Sequence, residues 1–188
     1  CEIIHHNNSE HKEKIAAENN QETFGNLSSL LKCFEIAKKE QSDLIYFVED
    51  DYLHYDHSLV DMLDTYERIS SQHKDEIIVC PSDYPFNYMT NEKTNILIGS
   101  QQHWRIITKM LCTFMISKKM FQKHINNFEK TCEKRHDPFE KYLNEVLQKE
   151  IAISPIKSLA IHLTNVNSSY GLSPFIDYKK LWDENKVK

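Results

Sequence analysis

Residues 44–48 form an unbroken apolar run, Leu-Ile-Tyr-Phe-Val, and the run stops abruptly at Glu49, Asp50 and Asp51. Such a run suits a central strand covered on both faces. Three carboxylates cannot follow it into a core. Crowded together, they raise one another's pKa unless a cation neutralises them. Open α/β sheets bind ligands beyond the carboxyl ends of their strands. A hard cation such as Mg2+ or Mn2+ takes oxygen ligands and shares its shell with substrate phosphates. Position, charge and ligand type therefore agree on a cation site at a strand end. The competing reading is an acidic first turn of the next helix.

The surrounding pattern alternates strands and helices, which predicts an α/β domain. Short strands are expected at 2–6, 76–80, 95–99, 113–117, 151–154 and 158–162. Leu27, Leu30, Leu31, Phe34 and Ala37 recur at spacings of three and four and predict an amphipathic helix over 27–40, with Asn26 as its N-cap. Further helices are expected at 59–69, 118–132 and 138–149, the last with Pro138 in its first turn and Asp137 as N-cap. The chain of 188 residues fits one domain, and the polar stretch 165–188 reads as a tail or substrate loop.

Composition removes several function classes. Three glycines leave no Walker loop and no dinucleotide fingerprint. A net charge of −5 argues against a phosphate-tracking groove, so no nucleic-acid partner is expected. Five cysteines, none in a C-x-x-C pair, read as reduced thiols rather than a zinc knuckle and favour an intracellular setting. No apolar run reaches the ~18 residues of a membrane span, and no signal peptide is visible.

Two further segments carry polar chemistry. Asp83 and Tyr84 follow a strand directly, and Trp104 and Arg105 set an aromatic face beside a cation. Sugars stack on aromatic faces and hydrogen-bond to Asp and Arg, so these four residues are candidate acceptor contacts. A surface loop and a core tryptophan would look the same. His5, His6, Asn7 and Asn8 read as ordinary strand-end polarity.

The strand followed by Glu49-Asp50-Asp51-Tyr52 resembles the DxD-type motif of GT-A fold glycosyltransferases, in its Glu-Asp-Asp form. Phe24-Gly25-Asn26-Leu27 before the amphipathic helix is similar to their nucleotide-sugar region. The likeness is to small glycosyltransferase domains of large DNA viruses and related bacterial proteins. It implies a Rossmann-related, mixed but mainly parallel sheet flanked by helices, either lacking its first strand or reduced. It implies Asp51 and His162 as ligands of Mn2+ (or Mg2+), His162 arriving on a late apolar strand. Donor contacts would come from Phe24, Gly25, Asn26, Glu49 and Asp50. Asp137 is the expected general base of an inverting reaction, with Glu140 as runner-up. The implied partners are a nucleotide-sugar donor (hexosyl or pentosyl) and a glycan acceptor. The implied place is the cytoplasm, at the inner membrane face or in an infected host cell. A non-catalytic carbohydrate- or nucleotide-binding domain and another phosphate-acting metal enzyme, such as a nucleotidyltransferase, are the competing functions.

Overall fold

The computed structural model describes residues 3–15, 18–164, 166–173 and 176–186. Six strands form the main sheet: β1 (Leu44–Phe47), β3 (Ile77–Val79), β4 (Ile96–Ile98), β5 (His103–Ile106), β6 (Phe114–Ser117) and β7 (Ile151–Pro155). Their spatial order is β1-β6-β3-β7-β5-β4. A separate two-stranded ribbon pairs β2 (Tyr52–His54) with β8 (Ala160–His162). Among the described residues six α-helices accompany them: α1 (Gln21–Lys39), α2 (Ser58–His73), α3 (Lys118–Lys123), α4 (Ile125–Thr131), α5 (Lys141–Leu147) and α6 (Tyr178–Asn185).

The strand alternation of period two sorts the core into two layers. Ile78, Phe114, Ile116 and Ala152 share one cluster with Leu31 and Phe34 of α1, Phe128 of α4 and Val146 of α5. Ile77, Val79, Met115 and Ile153 turn the other way, to Met62 and Ile69 of α2 and to Trp104. The α/β class is thus as expected, with helices on both faces. The mainly parallel sheet is not. Only β3 and β7 pair parallel among the described strands, with Ile78 opposite Ala152, while the β1–β6, β3–β6, β4–β5 and β5–β7 pairs are antiparallel. A parallel sheet needs helices to carry the chain back across it, and that expectation came from the resemblance alone. Between β3 and β6 no α-helix does so. A loop with one 3-10 turn (Pro85–Tyr88) and a tight β4–β5 hairpin reverse the chain instead.

β1 stands at the sheet edge rather than at its centre. Its apolar run comes from two covered faces: Ile45 and Phe47 pack on the α1 side, Leu44 and Tyr46 on the α2 side. Local starts and stops also differ from expectation. Residues 3–6 form no strand, and residue 2 lies outside the described residues. α1 begins six residues early because Asn20, not Asn26, is the N-cap, its side chain accepting from the Thr23 N–H at 3.0 Å. The helix expected over 118–132 is broken at His124, which ends α3 and starts α4. Pro138 lies outside α5, and Glu140 takes the N-cap place expected of Asp137. His103-Trp104-Arg105 lies in β5, and the 165–188 stretch carries α6.

Gly99 lies just past β4, where the hairpin turns. A Cβ there would lie 2.3 Å from Trp104 Cδ1 and 2.8 Å from Thr65 Oγ1. Trp104 is fully buried, so neither neighbour has open space to yield into. Gly99→Ala should therefore lower stability by about 1–3 kcal/mol, the usual cost of overpacking. A urea melt checks this, and an unchanged midpoint would show that Trp104 can shift freely.

Candidate functional site

The acids after β1 leave the sheet where Phe47 ends it. Val48 is exposed, and Glu49 turns back toward β6. Thr113 at the start of β6 holds Glu49 twice: its Oγ1 accepts from the Glu49 N–H at 3.0 Å and donates to the carboxylate at 3.5 Å. Asp51 then enters the ribbon. Tyr52 and His162 are register partners across β2 and β8, and this pairing brings Asp51 and His162 together from positions 111 apart in sequence. Their side chains meet at 2.9 Å, Nε2 to Oδ2.

The His162 ring is fixed on three sides. It stacks on Tyr52, with ring centroids 5.1 Å apart. Nδ1 stands 3.3 Å from the Tyr170 carbonyl oxygen. A carbonyl only accepts, so Nδ1 carries a proton and donates it there. Nε2 then faces a carboxylate oxygen that is itself an acceptor. Two lone pairs cannot face one another at that distance, so a proton or a cation belongs between them. The donor set, one imidazole nitrogen and one carboxylate oxygen, is one that a divalent cation can accept. Thr164 Oγ1 donates to the same Asp51 oxygen, and the Leu163 N–H donates to the Asp51 carbonyl at 2.8 Å. Among the described residues no three His, Cys, Asp or Glu side chains stand together as a ready metal cage. A cation held by Asp51 and His162 would complete its shell with substrate oxygens.

A second carboxylate group lies beside this pair. Burial pushes the Glu49 carboxyl up to about 7, and the nearby charges of Asp51 and Glu140 push the same way. Burial also pushes the Glu140 carboxyl upward. The charges of Glu49 and Glu140 both reach the buried Cys112 thiol and raise it further. Tyr170 links the two halves: its carbonyl holds His162, and its phenol senses Glu140. Asp137 stands exposed on the bend before α5. Of the two expected base candidates, the structure thus brings Glu140 into the carboxylate group.

The other expected residues fall elsewhere. Asp50 is exposed at the turn. Phe24, Gly25 and Asn26 lie inside α1, not before it. Phe24 lines a 430 Å³ cleft with Ile15, Glu18 and Asn20. Asp83, Tyr84, Trp104 and Arg105 are buried, Trp104 completely, so Trp104 offers no face to a sugar in this structure. Asp83 accepts from Tyr88 and from Ser173, and Arg105 lies 3.5 Å from its other oxygen. That knot pins the loop after β3. The Tyr84 and Tyr52 hydroxyls hydrogen-bond at 2.6 Å, which props the ring under His162. Sequence reasoning missed Thr113, Thr164 and Tyr170. Thr164 was findable, since alternation from His162 puts it on the same side of an extended segment. Tyr170 acts through its backbone carbonyl, which leaves no mark in the sequence.

Compared with known protein families and with curated proteins, the chain finds no match. Among the described residues no helix is long and apolar enough to cross a membrane.

Glu49 generates a pH prediction. Its folded pKa of about 7 lies above the ordinary value of 4.5. In that window the fold keeps a proton that the unfolded chain has released, so Glu49 makes stability fall as pH rises. The penalty is fully present above the folded value and reaches up to about 3 kcal/mol. Glu49→Gln keeps the Thr113 contact and removes the charge. It should be more stable than the parent at alkaline pH and equal to it near pH 4.5. Parallel urea midpoints for the two proteins across this range would contradict the assignment.

Proposed function

We propose that this chain is a metal-dependent glycosyltransferase domain that moves a sugar from a nucleotide-sugar donor to a glycan hydroxyl, with inversion. The observation that supports it best is the Asp51–His162 contact at 2.9 Å, one donor group from the turn before β2 and one from the end of β8. Asp51 and His162 are the residues that would hold the cation, Mn2+ ahead of Mg2+ because an imidazole ligand suits it better. When bound, the cation supplies positive charge against the departing diphosphate.

The chain's own groups do the rest. Thr164 and Tyr170 hold Asp51 and His162 in place. Glu49 and Asp50 accept hydrogen bonds from hydroxyls of the donor sugar or ribose. Glu140 accepts the acceptor's hydroxyl proton as that oxygen forms its bond to the anomeric carbon. The bond from that carbon to the diphosphate oxygen breaks, and its electron pair leaves with the diphosphate. Burial pushes Glu140 upward, the direction a base working near neutral pH needs. The exposed Asp137 has no such surroundings and no helix cap to hold it. Among the described residues the thiols of Cys33, Cys80, Cys112 and Cys132 are unpaired, in keeping with a cytoplasmic place of action.

Two measurements test the reading. Calorimetric titration with uridine or guanosine diphosphate should show binding that depends on Mn2+. Asp51→Ala should abolish it in a folded protein, and His162→Ala should weaken Mn2+-supported binding more than Mg2+-supported binding. Undiminished affinity in Asp51→Ala removes the cation site. For the base, Glu140→Gln should cost about 10²–10⁴-fold in transfer rate while donor binding persists. Asp137→Asn should stay within a few-fold of the parent. The reverse ranking would return the role to Asp137.

A further inference from the structure

We infer that the Thr164 hydroxyl is a third protein ligand of the cation, beside Asp51 and His162; this rests on the cation site of the glycosyltransferase reading and deepens it. Three donor atoms converge on one point. Asp51 Oδ2 stands 2.9 Å from His162 Nε2 and 2.5 Å from Thr164 Oγ1. His162 and Thr164 are two apart on the segment that leaves β8, so an extended chain turns both side chains to one face. The Leu163 N–H between them donates to the Asp51 carbonyl at 2.8 Å and fixes that face against the turn before β2.

The spacing suits ligation. Ligands of a small divalent cation stand about 2.1 Å from it, so two that meet it at right angles lie about 3.0 Å apart. The Asp51–His162 separation of 2.9 Å already is such an edge. Thr164 has to back away from Asp51 by about half an ångström to make another. Its side chain is exposed, so that movement meets no packed core.

Lone pairs decide the chemistry. A hydroxyl carries one proton and two lone pairs. In this structure the Thr164 proton goes to Asp51 Oδ2. Rotation about the Cβ–Oγ1 bond aims a lone pair at the cation instead. His162 Nε2 offers a lone pair as well, since Nδ1 carries the ring proton toward the Tyr170 carbonyl. The third ligand is thus a neutral oxygen, and the site needs no third His, Cys, Asp or Glu, in line with the absence of such a trio among the described residues. Of the three ligands only Asp51 brings a negative charge. A divalent cation held this way keeps a net positive charge, and a diphosphate is the substrate group that cancels it.

Mn2+ is paramagnetic, which permits two measurements on the full chain without nucleotide and without turnover. The electron paramagnetic resonance signal of free Mn2+ gives the affinity. Line broadening by water enriched in the magnetic oxygen isotope counts the waters left on the bound ion. Thr164→Val keeps the shape and removes the oxygen, whereas Thr164→Ser keeps the oxygen. Thr164→Val should weaken Mn2+ binding about ten- to hundredfold and carry one more water on the ion than the parent. Thr164→Ser should restore both. A hydroxyl that only steadied Asp51 would change the affinity and not the water count, so an equal count in Thr164→Val and parent overturns the ligand role, as does an unchanged affinity. Added uridine diphosphate separates this from the transferase reading. Mn2+ binding that the diphosphate tightens, with a water count that Thr164→Val leaves alone, sinks the Thr164 ligand and spares the reading. A count that rises in Thr164→Val, with Mn2+ affinity indifferent to the diphosphate, upholds the ligand and sinks the reading. No Mn2+ binding by the parent, with or without diphosphate, overturns both.

Discussion

Phe47 is where the sheet has to end. Its ring meets Phe34 edge-on at 5.2 Å and packs beside Phe114 at 5.2 Å and Phe121 at 5.6 Å. The junction joins α1, β1, β6 and α3, and it locks the register in which Phe47 opposes Phe114. With Phe47 held, the following residues have one course. Val48 swings out, Glu49 is caught by Thr113, and Asp51 is delivered to the ribbon. The acids sit where they do because an aromatic core ends one residue earlier than the apolar run does.

That geometry explains what was legible beforehand. The acid cluster, the late histidine strand and most strand positions are written in local pattern: an apolar run, a charge step, an alternation. Asp51 and His162 could be paired in advance only by resemblance, because the contact that joins them is a ribbon of three residues per strand. Sheet direction was misread for a different reason. The mainly parallel sheet was implied by the resemblance and not by the residues, and the β4–β5 hairpin that reverses the chain has only Gly99 to mark it. Trp104 and Arg105 illustrate a third limit. An aromatic next to a cation looks the same in a core strand as in a sugar site, and only the covering α2 helix decides between them.

The segment after β8 works as a strap over the site. Thr164 and the Tyr170 carbonyl secure Asp51 and His162 from this side. The strap is itself tied down at a distance: the Phe86 N–H donates to the Ser169 carbonyl at 2.7 Å, and Ser173 donates to the buried Asp83 at 3.1 Å. Arg105 and Tyr88 complete that anchor, with the guanidinium 4.3 Å from the ring centre. The buried polar residues first read as sugar contacts are thus placed to position the groups that could touch substrate.

The ribbon that carries Asp51 and His162 is small beside the sheet it leaves. A two-stranded element is marginal on its own in water. Its strands are short, and the Phe34–Phe47–Phe114 packing does not run through it. Amide exchange in Tyr52–His54 and Ala160–His162 therefore proceeds by local opening, at a lower free energy than exchange in Ile77–Val79 or Phe114–Ser117. On warming, the ribbon comes apart while the layered core persists, so loss of the Asp51–His162 contact and global unfolding are two events at two temperatures.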